Sequence, residues 1–149
     1  MDPGDATTVI FGMGRVGTGS YDAMRKRIGD LVLGIDYDQQ TVDKHIKAGR
    51  NVIRGSATDP DFWERVEVGG HNIVQQVLLA MPNFRENQFA AKQIRKLGST
   101  VHIAATAKYE DEIEPLKKAG ADAVFNLYTE AGTGFVSLAC EKWEQEEPA

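Results

Sequence analysis

Residues 9–17 read Val-Ile-Phe-Gly-Met-Gly-Arg-Val-Gly, an apolar run that breaks into three glycines and then continues in helix-compatible residues. This stretch limits the possible folds more than any other, because glycines at that spacing suit a buried strand that turns tightly into a helix. Gly12 would make the turn, Gly14 would leave room for a phosphate or diphosphate, and Gly17 would let the helix pack close on the strand. A phosphate would then sit on the first backbone N–H groups of the helix. The chain has 15 glycines in 149 residues, so the pattern needs support from its context.

That context is an alternation of short apolar runs and helical patterns. Thr8, Val9, Ile10 and Phe11 predict a first strand. A helix is expected over residues 15–27, with Val16, Ser20, Ala23, Met24 and Ile28 on one face and Gly29 at its end. Residues 31–35 are continuously apolar, as in a parallel strand covered on both faces, and finish in Asp36-Tyr37-Asp38. Residues 39–48 carry Val42 and Ile46 at helical spacing and stop at Gly49, before a third strand over 51–54. Gly55-Ser56-Ala57-Thr58 forms the next turn. Asp59 and Pro60 supply an N-cap and a first helical position for a short helix through Phe62, Trp63 and Val66.

Residues 68–72 read as a loop and 77–80 as the fourth strand. Asn83 and Glu86 stand three apart at the start of a helix over 84–97, close to a capping box. A fifth strand is expected over 101–104 and a sixth over 123–126. The helix between them, 110–119, tolerates Pro115 only in its first turn. The last helix, from about residue 130 to 143, carries Phe135, Leu138, Ala139 and Trp143 at spacings of three and four. Its apolar face needs a partner, either this core or another subunit.

The alternation predicts a single α/β domain over 8–143, with a linker-like start over 1–7 and a polar tail over 144–149. Right-handed crossovers give a Rossmann-like, doubly wound parallel sheet of about six strands in the order 3-2-1-4-5-6. The ligand crevice of such a sheet lies at the carboxyl ends of strands one and four. The turns at 12–17, Asp36, 55–58 and 80–82 all fall on that edge.

Asp36 lies 19 residues beyond Gly17, near the roughly 20-residue spacing at which an acid bonds the ribose hydroxyls of an adenosine. A carboxylate there would repel a 2′-phosphate, so NADP is disfavoured. Arg15 reads either as a charge-assisted phosphate donor or as a solvated surface residue. Ser56 and Thr58 would line the adenine side or cap the following helix. The candidate nucleotide-binding set is Gly12, Met13, Gly14, Arg15, Val16, Gly17, Asp36, Tyr37, Gly55, Ser56, Ala57, Thr58, Ala80 and Met81.

Other chemistries find less support. His45, His71 and His102 show no metal-ligand spacing and read as surface or satisfied core histidines. No serine, histidine and acid occur in a nucleophile-elbow context. A nicotinamide enzyme would need a substrate domain, and six strands with their helices use nearly all of the sequence. The single cysteine, Cys140, fits a reducing compartment and a buried structural role. The first residues lack the pattern of a signal peptide. The net charge of -5, with scattered Lys and Arg, gives no footprint for nucleic acid. No apolar run approaches the roughly 18 residues of a membrane span.

The chain resembles the nucleotide-binding regulatory domains of potassium transport systems known as RCK, KTN or TrkA-N. The resemblance rests on residues 11–17 (Phe-Gly-Met-Gly-Arg-Val-Gly), 34–38 (Gly-Ile-Asp-Tyr-Asp), 55–59 (Gly-Ser-Ala-Thr-Asp) and 116–122 (Leu-Lys-Lys-Ala-Gly-Ala-Asp). The Gly-Arg-Val-Gly turn, the run from Thr58 to Trp63 and Glu130-Ala131-Gly132 are most similar to the cytosolic domain of Kef-type potassium/proton antiporters. The resemblance implies a non-catalytic sensor of AMP, NAD(H) or a related nucleotide. Such a sensor would form a homodimer and gate a membrane-embedded cation transporter, of the same or a separate chain, at the cytoplasmic face of the inner membrane. It assigns phosphate to Gly12, Gly14, Arg15 and Gly17, ribose to Asp36, and the adenosine border to Gly55, Ser56, Ala57 and Thr58. Ser56 stands where the family usually has Asp, which removes a carboxylate from the pocket. Kef systems also sense glutathione at the subunit interface, so the resemblance leaves glutathione as a further candidate ligand, without a residue-by-residue match to those contacts in this chain. Two other readings stay open: an NAD-binding fragment of an oxidoreductase, and an interaction module with a vestigial pocket.

Overall fold

The computed structural model describes residues 5–65 and 74–146, residues 64 and 65 by their backbone alone. Val66, the expected loop over 68–72 and the end of the polar tail lie outside the described residues. The elements are β1 (Thr8–Phe11), α1 (Arg15–Ile28), β2 (Val32–Asp36), α2 (Gln39–Lys47), β3 (Val52–Arg54), α3 (Pro60–Arg65), β4 (Gln76–Leu79), α4 (Phe84–Lys96), β5 (His102–Ala107), α5 (Ile113–Ala119), β6 (Ala123–Asn126) and α6 (Leu127–Glu146). The strands form a parallel sheet in the order β3-β2-β1-β4-β5-β6. This is the doubly wound order expected from the alternation, and it places the ends of β1 and β4 side by side.

The central strands read as continuous apolar runs because both of their faces are covered. On one face Val9, Phe11, Leu33, Ile35, Val77, Leu79 and Ile103 pack with Phe62 and Trp63 of α3, Ala90, Ala91 and Ile94 of α4, and Leu116 of α5. Phe11 stacks on Trp63 with centroids 5.3 Å apart and meets the edge of Phe62 at 5.8 Å. The Trp63 indole N–H donates to the Ala57 carbonyl at 2.7 Å, so its one polar atom is satisfied. On the other face Ile10, Val32 and Val52 pack with Met13, Tyr21 and Val42.

The buried side of α1 differs from the expected face. Gly17 and Tyr21 are buried and Met24 and Ile28 half-buried, while Val16 and Ala23 are exposed. The approach is governed by the glycine contact at the start of the helix and by the Tyr21 hydroxyl, which accepts the Asn51 N–H at 2.7 Å. These rotate the helix by about one residue.

Three other boundaries move for local reasons. The segment before α5 begins as a 3₁₀ turn, Glu110–Glu112, so Pro115 falls in the first turn of the α-helix, where its missing N–H costs nothing. β5 extends to Ala107 because residues 104–107 pair with residues 123–126 of β6 and Ala105 and Ala107 remain buried in the core. α6 begins directly at Leu127, with the Asn126 side chain accepting the Thr129 N–H at 3.2 Å.

Among the described residues the second face is only half covered. α1 and α2 lie over β1, β2 and β3, whereas α6 leaves the sheet, and every one of its residues from Tyr128 to Glu146 is exposed. Cys140, expected to be buried, is exposed for the same reason. Phe62→Ala removes the ring that contacts both Phe11 and the turn at Gly55. We expect a loss of about 3–5 kcal/mol in urea unfolding, and a loss under 1 kcal/mol would contradict the packing role given to α3.

Candidate functional site: a crevice at the carboxyl edge of the sheet

The turn after β1 is built on two steric limits. A Cβ on Gly17 would stand 1.6 Å from the Gly12 carbonyl oxygen, so a side chain there would drive α1 off the strand. Gly12 has φ +93°, and a Cβ on it would meet the Met81 backbone at 2.9 Å. Gly14 differs, since among the described residues a Cβ there would meet nothing within 4 Å beyond its own chain neighbours. It is the N-cap of α1, and no side chain caps the helix or places an acid in its first turn. The helix N-terminus therefore offers its unpaired N–H groups and its positive dipole end to the crevice.

Asp36, at the tip of β2, reaches back to this turn. Its Oδ2 accepts the Met13 N–H at 2.8 Å, and its Oδ1 accepts the Asp38 N–H at 2.9 Å. Each oxygen keeps a further lone pair for an incoming hydroxyl. Asp38 caps α2 in turn, and the hydroxyl of Thr41, donating to its Oδ2 at 2.7 Å, holds its carboxyl below the usual range.

Two adjoining cavities follow the edge. The first, about 220 Å³, is lined by Gly12, Asp36, Tyr37 and residues 55–58, together with Met81, Pro82 and Glu86. The second, about 460 Å³, lies beyond Met81 and Pro82 and takes Gly14, Arg15, Val16 and Ala80 on one side, with Thr106, Lys108 and Tyr128 among the residues on the other. The candidate set is thus divided. The acid, the residue 55–58 turn and Gly12 share one cavity, and Arg15 with the helix start borders the next. Met13 sends its side chain into the core against Gly34, so only its peptide groups border the crevice. Gly17 lies beneath the turn.

Other candidates have local partners. The Ser56 and Thr58 hydroxyls lie 3.0 Å apart at the cavity wall. Asp59, rather than Thr58, bonds the start of α3, its Oδ1 accepting the Asp61 N–H at 2.9 Å. His45 is buried, His102 is exposed on β5, and His71 lies outside the described residues. Among the described residues no group of His, Cys, Asp or Glu is placed to hold a metal ion. No helix among them is long and apolar enough to cross a membrane.

Sequence reading missed Glu86, Lys108 and Asn87. Asn87 is 1% exposed and clasps Met81 both ways, its Nδ2 donating to the Met81 carbonyl at 2.9 Å and its Oδ1 accepting the Met81 N–H at 3.2 Å. Its signal was available: Asn87, Ala90, Ala91 and Ile94 form one helical stripe, and a polar residue in such a stripe must have a buried partner. Lys108 and Glu86, both half-buried, carry no comparable signal, since charges at strand and helix ends are common.

The TrkA-N domain profile matches residues 8–127 of the chain. The chain belongs to the TrkA-N domain family. This TrkA-N domain is 25% identical over 133 residues to potassium channel protein 1 of Methanocaldococcus jannaschii, covering 88% of this chain and 39% of that protein. It therefore spans about two fifths of the length of that relative. The NAD(P)-binding domain of an exopolyphosphatase-related protein from Archaeoglobus fulgidus superposes with a TM-score of 0.80 at 18% identity, over 91% of this chain and 98% of that one. The GsuK channel bound to NAD superposes with a TM-score of 0.67 at 20% identity, over 80% of this chain and 21% of that one. GsuK has also been solved bound to ADP, with the same TM-score at 22% identity, over 82% of this chain and 31% of that one.

Proposed function

We propose that this TrkA-N domain is a non-catalytic nucleotide sensor that regulates a potassium or other monovalent-cation transport system from the cytoplasmic face of the membrane. The observation that carries the reading is the placing, in adjoining cavities along one edge of the sheet, of the Asp36 carboxylate and of an uncapped α1 N-terminus at Gly14, with Asp36 bonded to the Met13 N–H of the same turn. The helix N-terminus suits phosphate and the carboxylate suits a ribose diol. In this assignment the adenosine occupies the cavity between Asp36 and the residue 55–58 turn, and the phosphates lie across Gly12, Gly14 and Arg15. A second nucleotide half, as in NAD(H), extends past Met81 toward Lys108, while AMP leaves that space open. Asp36 and Glu86 line the same cavity, so a 2′-phosphate would meet two carboxylates. A potassium channel protein among the relatives, and the GsuK channel solved with NAD and with ADP, support this reading. The Gly14–Gly17 turn and the run from Thr58 to Trp63 favour a transporter of the Kef antiporter type.

Thermal-shift and calorimetric titration test the reading. ADP and NAD should raise the melting temperature more than NADP, since a ligand selective for the native state adds RT ln(1 + [L]/Kd) of stability. Asp36→Ala should weaken ADP binding at least about tenfold, as expected for lost hydrogen bonds to a charged group. No shift with any adenine nucleotide at millimolar concentration, or an unchanged Kd in Asp36→Ala, would contradict it, and nicotinamide turnover would favour an oxidoreductase.

Regulation requires that ligand state alter a contact with something else. We propose that the contact is a homodimer formed through α6. Phe135 and Trp143 are 72% and 67% exposed. Phe125 and Leu127 border a cavity of about 250 Å³ on the uncovered half of the sheet, with Ala104 and Thr106. Together these leave two apolar surfaces that a second copy could cover. Light scattering should show a dimer that becomes a monomer in the double variant Phe135→Asp, Trp143→Asp, with ADP affinity retained. A monomeric wild-type chain would contradict the dimer.

A further inference from the structure

His45 is the one histidine buried among the described residues, at 8% exposure, and the crevice does not include it. Its Nε2 lies 2.8 Å from the Met13 carbonyl oxygen, which can only accept, so Nε2 carries the proton. Its Nδ1 is then free to accept from Arg50 Nη1 at 3.3 Å. Arg50 is fixed by Asp22, donating Nε and Nη2 to the two carboxylate oxygens at 2.9 Å each. That pairing holds Asp22 below the usual carboxylate range. Thr18 of α1 donates its hydroxyl to the same Met13 carbonyl at 3.1 Å.

The consequence lies across one peptide bond. The Met13 carbonyl and the Gly14 N–H belong to a single planar trans unit, in which they point in opposite directions. A carbonyl drawn inward by His45 and Thr18 turns the Gly14 N–H away from the protein, toward the open space in front of α1. Glycine at position 14 permits either orientation of that unit at little cost, so the choice must come from elsewhere. Asp36 holds the Met13 N–H on the preceding unit and does not constrain this one.

We propose that His45 is a positioning residue, which through the Met13 carbonyl aims the Gly14 N–H at the phosphate of a bound nucleotide. This rests on the nucleotide reading of the crevice and deepens it. His45 touches no ligand, so its effect is confined to ligands that carry phosphate. Gln places an amide N–H near the position of histidine Nε2 and can make the same bond, whereas Leu cannot.

Isothermal titration of the wild type, His45→Leu and His45→Gln with ADP and with adenosine tests this. ADP should bind His45→Leu about tenfold more weakly, a typical effect of one lost hydrogen bond to a charged group. Adenosine should bind both proteins equally within twofold, and His45→Gln should recover most of the ADP affinity. Thr18→Val, which removes the other donor to the same carbonyl, carries the same comparison if His45→Leu does not fold. An unchanged ADP affinity in the folded variant, or an equal loss for ADP and adenosine, would overturn the positioning role. Absence of ADP binding by the wild type would overturn the nucleotide reading and this inference with it.

Discussion

The contact between the Gly17 Cα and the Gly12 carbonyl sets the rest of the structure. It lets α1 begin with only three residues between it and the end of β1 and lie close on the sheet, in space that any side chain would occupy. With α1 so placed, its N-terminus faces the edge where β1 and β4 diverge. Asp36 can then reach the Met13 N–H, and Thr18 and His45 can reach the Met13 carbonyl. One residue of the turn is thus held by three elements while its neighbour, Gly14, faces open space. This arrangement presents backbone donors of fixed direction to the crevice.

Much of this was readable in the sequence because each feature had a local physical cause. The β-branched and aromatic strands, the Gly29 and Gly49 stops and the Asp59-Pro60 start act within a few residues of themselves, and their elements fall where expected. The sheet order followed from the alternation, and the edge location of 12–17, 36 and 55–58 followed from the order. Features that depend on distant partners were not readable. The face of α1 is chosen by Asn51 and by the Gly12 carbonyl, neither of which is visible from the helix pattern. His45 was recognised only as a surface or satisfied core residue, because its partner carbonyl lies 32 positions away.

The last helix shows the opposite situation. Its apolar spacing was plain, and the question it raised was which surface would cover it. The structure leaves it exposed beside an uncovered half-sheet, so the unmet burial sits next to the second cavity, which Leu127, Tyr128 and Ala131 help to line. A ligand reaching that cavity would touch the base of α6. In our reading, occupancy of the crevice is thereby felt at a surface that another chain covers, which is the physical requirement for a sensor.

The most direct measurement is the amide spectrum of the isotopically labelled chain during titration with ADP. The account predicts the largest shifts at Gly14, Arg15, Val16 and Gly17, with a second group at residues 55–58 and smaller changes at the start of α6. Shifts confined to other surfaces, with the amides of residues 14–17 unmoved at saturation, would contradict it.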